Sequence, residues 1–250
     1  MSDMYIYGIH PVEEALSRSP GRVDEILVNG DLSDSQFGDI KSVVGRHSIP
    51  VRKASNDELN HLSEGGNHQR IAARVSAFPY YDLADAIAAG EQKDGYACVL
   101  ALAQVQDPGN LGAIMRSAAA LDVDAVIIPK HRSAQMTPAV VRASAGMAFE
   151  VPLVRVTNLS KALQRLKDER YWVVGTVADD EDAQPLWSMD WKLNAAIVVG
   201  GEHKGMRPGV EKKCDFRVTI PLKEDVESLN VSVAAAVALY DRIRGLNVGD

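Results

Sequence analysis

Cysteine is nearly absent: Cys98 and Cys214 stand far apart and in no CxxC pair. Neither a disulfide framework nor a cysteine-based zinc site is supported, and a reducing cytoplasm is the expected setting. Long apolar runs are missing too, since no stretch approaches the roughly 20 residues a membrane helix needs. The first residues carry no basic start followed by an apolar run, so neither secretion nor membrane insertion is expected. Excess positive charge is also lacking: 27 Lys and Arg face 34 Asp and Glu, a net charge of -7. Such a balance argues against indiscriminate nucleic-acid binding, which depends on lysine and arginine displacing counterions. Neither GxGxxG nor GK[ST] occurs, so a dinucleotide or triphosphate loop is not expected. Six histidines are present, and none forms HExxH or a nucleophile signature.

What remains is an ordinary globular composition, with 46% hydrophobic and 24% charged residues in 250. That length accommodates one large or two modest domains. Residues 5–75 alternate helical and strand signals, with helices near 11–18 and 35–46 and strands near 25–28, 50–52 and 71–75. They predict a small α/β domain over 1–76. Mixed sequence over 77–96, with a short amphipathic stretch at 83–89, reads as a linker with a connecting helix. From 97 to 250 the texture changes to near-continuous apolar runs at 97–105, 125–129, 172–177, 195–200 and 216–220. Such runs are expected of strands buried on both faces of a parallel sheet, with helices predicted at 111–121, 138–148, 159–169 and 231–244.

In a parallel sheet, ligands gather where strands end and helices begin. Three such junctions stand out. In QDPGNLGAIMRSAAA, residues 106–120, Asn110 is placed to cap a helix carrying Arg116, six residues on and close to two turns; a capped helix with a surface arginine is the alternative. In VVGGEHKGM, residues 198–206, a strand runs into Gly200, Gly201 and Glu202; alone it is a glycine turn or a place of close ligand approach. In IPLKEDVESLNVSVA, residues 220–234, Ser228, Asn230 and Ser232 alternate with Leu229 and Val231. A single cap needs one polar residue, so three predict a buried polar network. Local positive charge survives as Lys130, Arg132 and Arg142 within an acid-free stretch, and as Lys204, Arg207, Lys212 and Lys213 against Glu211. An anionic partner, or only a solvated basic face, would account for these.

Taken together, N-x-x-x-x-x-R, G-G-E-x-x-G-M and I-P-L…S-L-N-V-S-V-A, in that order, resemble the three motifs of the SpoU family of RNA 2′-O-ribose methyltransferases, within the SPOUT superfamily. YGIHPVEEAL and HQRIAARV resemble the ribosomal-protein-like substrate-binding domain of its large-subunit rRNA guanosine branch, and the stretch from 129 to 159 is similar to that branch as well. Nearly the whole chain is covered. The resemblance implies a parallel-sheet domain with a deep trefoil knot over about 195–244, a homodimer, and S-adenosylmethionine held by Thr176, Gly200, Gly201, Ile220, Leu222 and Leu229. It further implies that Arg116, Asn110, Glu202, Ser228 and Asn230 form the reacting centre, that Lys130, Arg132 and Arg142 contact RNA, and that no metal takes part. The implied substrate is a guanosine ribose of 23S rRNA; a tRNA ribose, or a catalytically silent RNA-binding homologue, are the alternatives. Two departures stand out. Leu222-Lys223-Glu224-Asp225 follows Ile-Pro where the family has methionine and glycine, and His68-Gln69-Arg70 stands where it has His-Gln-Gly.

Overall fold

The computed structural model of the chain describes residues 4–31, 35–76, 78–178, 180, 182–201 and 205–247. They form two compact units, one of residues 1–78 with 136–150, the other of 79–135 with 151–250.

The first unit is built around a four-stranded sheet of order β1-β4-β2-β3. Strands β1 (Met4–Tyr7), β2 (Val23–Val28), β3 (Val51–Lys53) and β4 (Ile71–Val75) alternate with helices α1 (Ile9–Arg18), α2 (Gly38–His47) and α3 (Asn56–Leu62). Strand β4 pairs antiparallel with β1 and β2, while β2 and β3 are parallel. Ile6, Ile26, Val28, Ile71 and Ala73 lie fully or almost fully buried on one face, against Val12, Leu16, Phe37 and Ile40 of the helical layer. Gln69 and Arg70 adopt left-handed conformations, with φ of 48° and 66°. Glycine tolerates that region without cost, so the family's glycine at position 70 has a backbone reason. Here the arginine is accommodated by donating from Nε to the Asn29 carbonyl at 2.9 Å.

The second unit opens with helix α4 (Leu83–Glu91), whose Ala86 and Ile87 enter the core. Strand β5 (Cys98–Leu102), helix α5 (Pro108–Ala120) and strand β6 (Ala125–Pro129) follow. The chain then returns to the first unit over 136–150, where α6 (Pro138–Ala143) buries Val141 in that unit's core. The predicted helix over 138–148 is therefore shorter, ending where Ala145 and Gly146 take φ of 49° and 74°. Strand β7 (Leu153–Val156), helix α7 (Leu159–Asp168), strands β8 (Trp172–Val177), β9 (Gln184–Pro185) and β10 (Ala195–Val199), helix α8 (Pro208–Glu211), strand β11 (Phe216–Thr219) and helix α9 (Val231–Asn247) complete the unit.

Its seven strands run in the order β7-β6-β5-β10-β8-β11-β9, and every pairing is parallel. All five residues of β5 and of β10 are buried, which explains their unbroken apolar sequence: both faces are covered. At the amino ends of the strands, Asp124 accepts from the Cys98 backbone N–H at 2.7 Å and pairs with Lys93, while Asp215 accepts from the Val173 N–H at 2.9 Å and pairs with Lys167. The carboxyl ends are left to loops, and the three junctions singled out from the sequence lie there. Helix α9 packs along α5. Its far end is tied down by Trp191 Nε1 donating to Asp241 at 2.9 Å and by the buried Arg242 donating to the Tyr96 carbonyl.

Candidate functional site

The loop after β10 carries the first constraint. A Cβ at Gly200 would lie 2.8 Å from the Gly205 carbonyl carbon, and one at Gly201 would lie 2.8 and 2.9 Å from the Gln104 and Ala103 carbonyl oxygens. Backbone atoms cannot swing aside as side chains do, so both positions are restricted to glycine by close approach. Gly201 also donates to the Gly205 carbonyl at 3.3 Å, closing the loop on itself. Glu202 lies outside the described residues, as do His203 and Lys204.

Between this loop, the end of β8 and the 220–231 segment lies a cavity of about 540 Å³. Thr176, Gly200, Gly201, Ile220, Leu222 and Leu229, the six residues expected around a cofactor, all line it. Thr176 is held in place by donating its hydroxyl to the Val198 carbonyl at 3.2 Å. Sequence reasoning missed Met206, Glu211 and Glu227, which line the same cavity. Among the described lining residues there is no lysine or arginine, so the two glutamates set a negative potential. Its volume falls within the range of small-molecule sites, about 300 to 1,000 Å³. The departure at Lys223, Glu224 and Asp225 stands outside the lining, in an exposed turn closed by the Val226 N–H donating to the Lys223 carbonyl.

A second, more open cavity of about 410 Å³ adjoins it, lined by Asp107, Asn110, Ser228, Leu229, Asn230 and Val231; Ser228, Leu229 and Val231 face both. Asn230 belongs to the second cavity. Its Nδ2 donates to Asn110 Oδ1 at 3.0 Å, while its Oδ1 accepts from the Ser232 backbone N–H at 2.8 Å and from the Ser232 hydroxyl at 2.7 Å. Asn230 is thus the side chain that caps α9.

Two expectations are corrected here. Segment 220–230 is irregular, and Ser232 sits in the first turn of α9, the helix expected from 231. Ser228 and Asn230 are exposed, so the polar set rims an opening instead of lying buried. Asn110 is not the cap of α5. Asp107 is, accepting from the Asn110 N–H at 2.7 Å, with Pro108 in the first turn where its missing N–H costs nothing.

Arg116 lies on the same helix as Asn110, but six residues advance the helix by about 600°, leaving the two side chains about 120° apart. They do not share a face. Arg116 is exposed and, among the described residues, has no hydrogen-bond or ion-pair partner. Lys130 and Arg132 follow β6 in the second unit, whereas Arg142 belongs to the first, its guanidinium 4.4 Å from the Tyr7 ring centre. The acid-free stretch is therefore divided between the units. The first unit has a cavity of its own, about 550 Å³, whose lining mixes Glu13, Glu14 and Asp39 with His10, Arg46 and Arg142. Among the described residues, no group of three or more His, Cys, Asp or Glu is arranged to hold a metal ion.

Comparison with known proteins agrees with this geometry. Residues 97–240 match the SpoU rRNA Methylase family, and residues 5–81 match the domain described as RNA 2′-O ribose methyltransferase substrate binding. The chain is 40% identical to the 23S rRNA (guanosine-2′-O-)-methyltransferase RlmB of Acinetobacter baylyi, over 96% of each chain. A protein of Staphylococcus saprophyticus named for the TrmH family of tRNA/rRNA methyltransferases is 38% identical, over 100% of this chain and 99% of its own. The crystal structure of the SpoU methyltransferase AviRb from Streptomyces viridochromogenes, in complex with AdoMet, superposes with a TM-score of 0.81 at 25% identity, covering 99% of this chain and 92% of that one. Matched in both units, the chain belongs to the SpoU rRNA methylase family and is an RNA methyltransferase.

Proposed function

We propose that the protein methylates the 2′-hydroxyl of a guanosine ribose in large-subunit rRNA, with S-adenosylmethionine as the methyl donor and a homodimer as the working form. The observation that carries this reading is the pair of adjoining cavities at the carboxyl ends of the strands. The first carries two glutamates and, among its described lining, no lysine or arginine; the second is more open, and Asn110 and Asn230 are joined in its wall.

The first cavity fits the donor. S-adenosylmethionine carries a sulfonium and an ammonium against one carboxylate, and Glu211 and Glu227 complement those cations where lysine and arginine would repel them. Thr176, Ile220, Leu222, Leu229 and the close-packed backbone at Gly200 and Gly201 would hold it. When bound, the donor supplies an electrophilic methyl group. The chain's own part is to align a ribose oxygen with that methyl, exclude water and provide for the hydroxyl proton.

Asn110 and Asn230, joined to each other and to Ser232, form the wall of the open cavity where the ribose enters, with Ser228 on its rim; Glu202 is assigned to the same centre from its place in the motif alone. Arg116 orients the 2′-hydroxyl and its neighbouring phosphate. Above a pKa of about 12 a guanidinium is no base, so the proton on the 2′-oxygen passes to a phosphate oxygen or to water. Arg116 points away from the Asn110 side of α5, and we place it in the site of the second subunit. Helix α9 supports a subunit contact there: Val233, Val237 and Tyr240 present an apolar row at i, i+4 and i+7, between 36% and 64% exposed. In the SPOUT manner, the segment from about 195 to 244 threads a trefoil knot. Lys130, Arg132 and Arg142 contact phosphates of the RNA, and the reducing cytoplasm is the setting.

The test is incubation with labelled S-adenosylmethionine and unmodified total RNA, followed by mapping of 2′-O-methyl sites. Label in a guanosine of large-subunit rRNA is the expected result. Label confined to tRNA would redirect the substrate, and no label in any RNA would overturn the reading.

A further inference from the structure

We infer that Arg207 is a positioning residue that holds a phosphodiester of the RNA strand beside the loop after β10, and that Gln104 sets its direction. The inference rests on the reading of the site as an RNA 2′-O-methyltransferase centre and extends it to a residue outside the three motifs.

Gln104 follows β5 and adopts a left-handed backbone with φ of 68°, a conformation that costs a non-glycine residue of order 1 kcal/mol. That strain is retained in a tight place, where the Ala103 and Gln104 carbonyls meet the Gly201 backbone. With its amide oriented so that the oxygen faces the guanidinium, Gln104 accepts from Arg207 Nε at 3.3 Å and Nη2 at 3.0 Å. Two contacts on adjacent nitrogens fix both the position and the plane of the guanidinium.

The choice of partner matters. A carboxylate in the place of Gln104 would orient the arginine equally well and neutralise it. A carboxamide orients it and leaves the whole positive charge and the remaining N–H donors available. Arg207 is exposed and, among the described residues, forms no ion pair. It directly follows Gly205 and Met206, which line the first cavity, and Gln104 precedes Asp107 and Asn110, which line the second. Arg207 itself lines neither cavity, but a guanidinium held on the loop that bounds the first, with no carboxylate partner among the described residues, suits a diffuse anion such as a phosphodiester, which accepts from it in a plane.

Three variants test the assignment: Arg207→Gln, Gln104→Glu and Arg207→Lys. Each is measured for S-adenosylmethionine affinity, for equilibrium binding of a large-subunit rRNA transcript across a salt series, and for methyl transfer. Arg207→Gln should leave donor affinity within about twofold, weaken RNA binding about tenfold and lower the salt slope of log K by about one, as loss of one phosphate contact requires. Gln104→Glu should weaken RNA binding in the same direction with the fold intact, since the arginine stays but is neutralised. Arg207→Lys should recover part of the affinity by restoring the point charge. Unchanged RNA affinity and salt slope in Arg207→Gln would overturn the assignment, as would a loss confined to donor binding. Tighter RNA binding by Gln104→Glu would count against the role given to Gln104. If the unaltered protein transfers no methyl group to any RNA, the functional reading fails, while the RNA-binding series still decides the role of Arg207.

Discussion

Asn230 Nδ2 donates to Asn110 Oδ1 at 3.0 Å, joining the residue that begins α9 to the first turn of α5 across 120 positions of sequence. The other end of the same amide accepts two hydrogen bonds from Ser232. One side chain thus does two jobs, capping a helix and fixing the wall of a cavity, and substitutions can separate them.

Asn230→Asp keeps an acceptor for the Ser232 N–H at a helix start that favours negative charge, but it cannot donate to Asn110. Thermal stability should hold or rise while methyl transfer falls by about tenfold or more, the loss of one charge-free positioning bond and the gain of a repulsion. Asn230→Ala should lose about 1 kcal/mol of stability as well, for want of the cap. Wild-type transfer rates in Asn230→Asp, read beside its melting curve, would show that only the cap matters.

Gly201→Ala places a methyl group against the Gln104 and Ala103 carbonyl oxygens, at 2.8 and 2.9 Å. Backbone must move, at a cost of roughly 1 to 3 kcal/mol. Titration calorimetry with S-adenosylmethionine should show weakened binding, and a melting curve a lowered midpoint. An unaltered variant on both measures would mean that the 103–104 segment yields freely.

Arg116→Ala removes an exposed side chain with no partner among the described residues, so stability and donor binding should stay unchanged. Turnover should fall about 100-fold or more, in line with losing the group that orients the reacting oxygen. Methylation near the wild-type rate would take Arg116 out of the chemistry.

Val237→Glu sets a charge in the middle of the apolar row on α9, where Val237 is 36% exposed in the single chain. If that row is the subunit contact, light scattering after gel filtration should show monomers, and transfer should fall as the paired site is lost. A variant that remains dimeric and active would move the contact elsewhere.

Burial pushes the Cys98 and Cys214 thiols up to about 11, from an ordinary value of 9.0. Neutral thiols are the poor nucleophiles, so neither should react with iodoacetamide at pH 8 until the protein is unfolded in urea. The sign for stability follows from the raised values. Folded and unfolded thiols are both protonated well below pH 9, so nothing is lost there. Between about 9 and 11 the unfolded chain releases protons that the folded chain retains, and stability declines as pH rises. Rapid native-state alkylation of Cys98 would contradict its burial.

Local pattern was readable from residues alone where one periodicity governed. The apolar runs at 125–129 and 172–177 coincide with β6 and β8, and the run at 195–200 exceeds β10 by one residue, because strands covered on two faces have no solvent side to announce. Where two local rules competed, reading failed. The polar set at 228–232 read as a buried network, yet Ser228 and Asn230 are exposed and the Asn230 side chain caps α9, because a helix start needs its free N–H groups satisfied. Asn110 lost the cap of α5 to Asp107 because Pro108 needs to stand just inside the helix.

The sequence by itself determined the class of sheet, the glycine-bound loop and, through three ordered motifs, the family, since each depends on residue types at short spacing. Only the tertiary structure decided that Asn110 meets Asn230, that Glu211 and Glu227 share one cavity with Thr176 and Leu229, and that residues 136–150 rejoin the first unit. Those contacts link segments brought together by crossovers of a parallel sheet, and no local spacing encodes which loop ends arrive beside which.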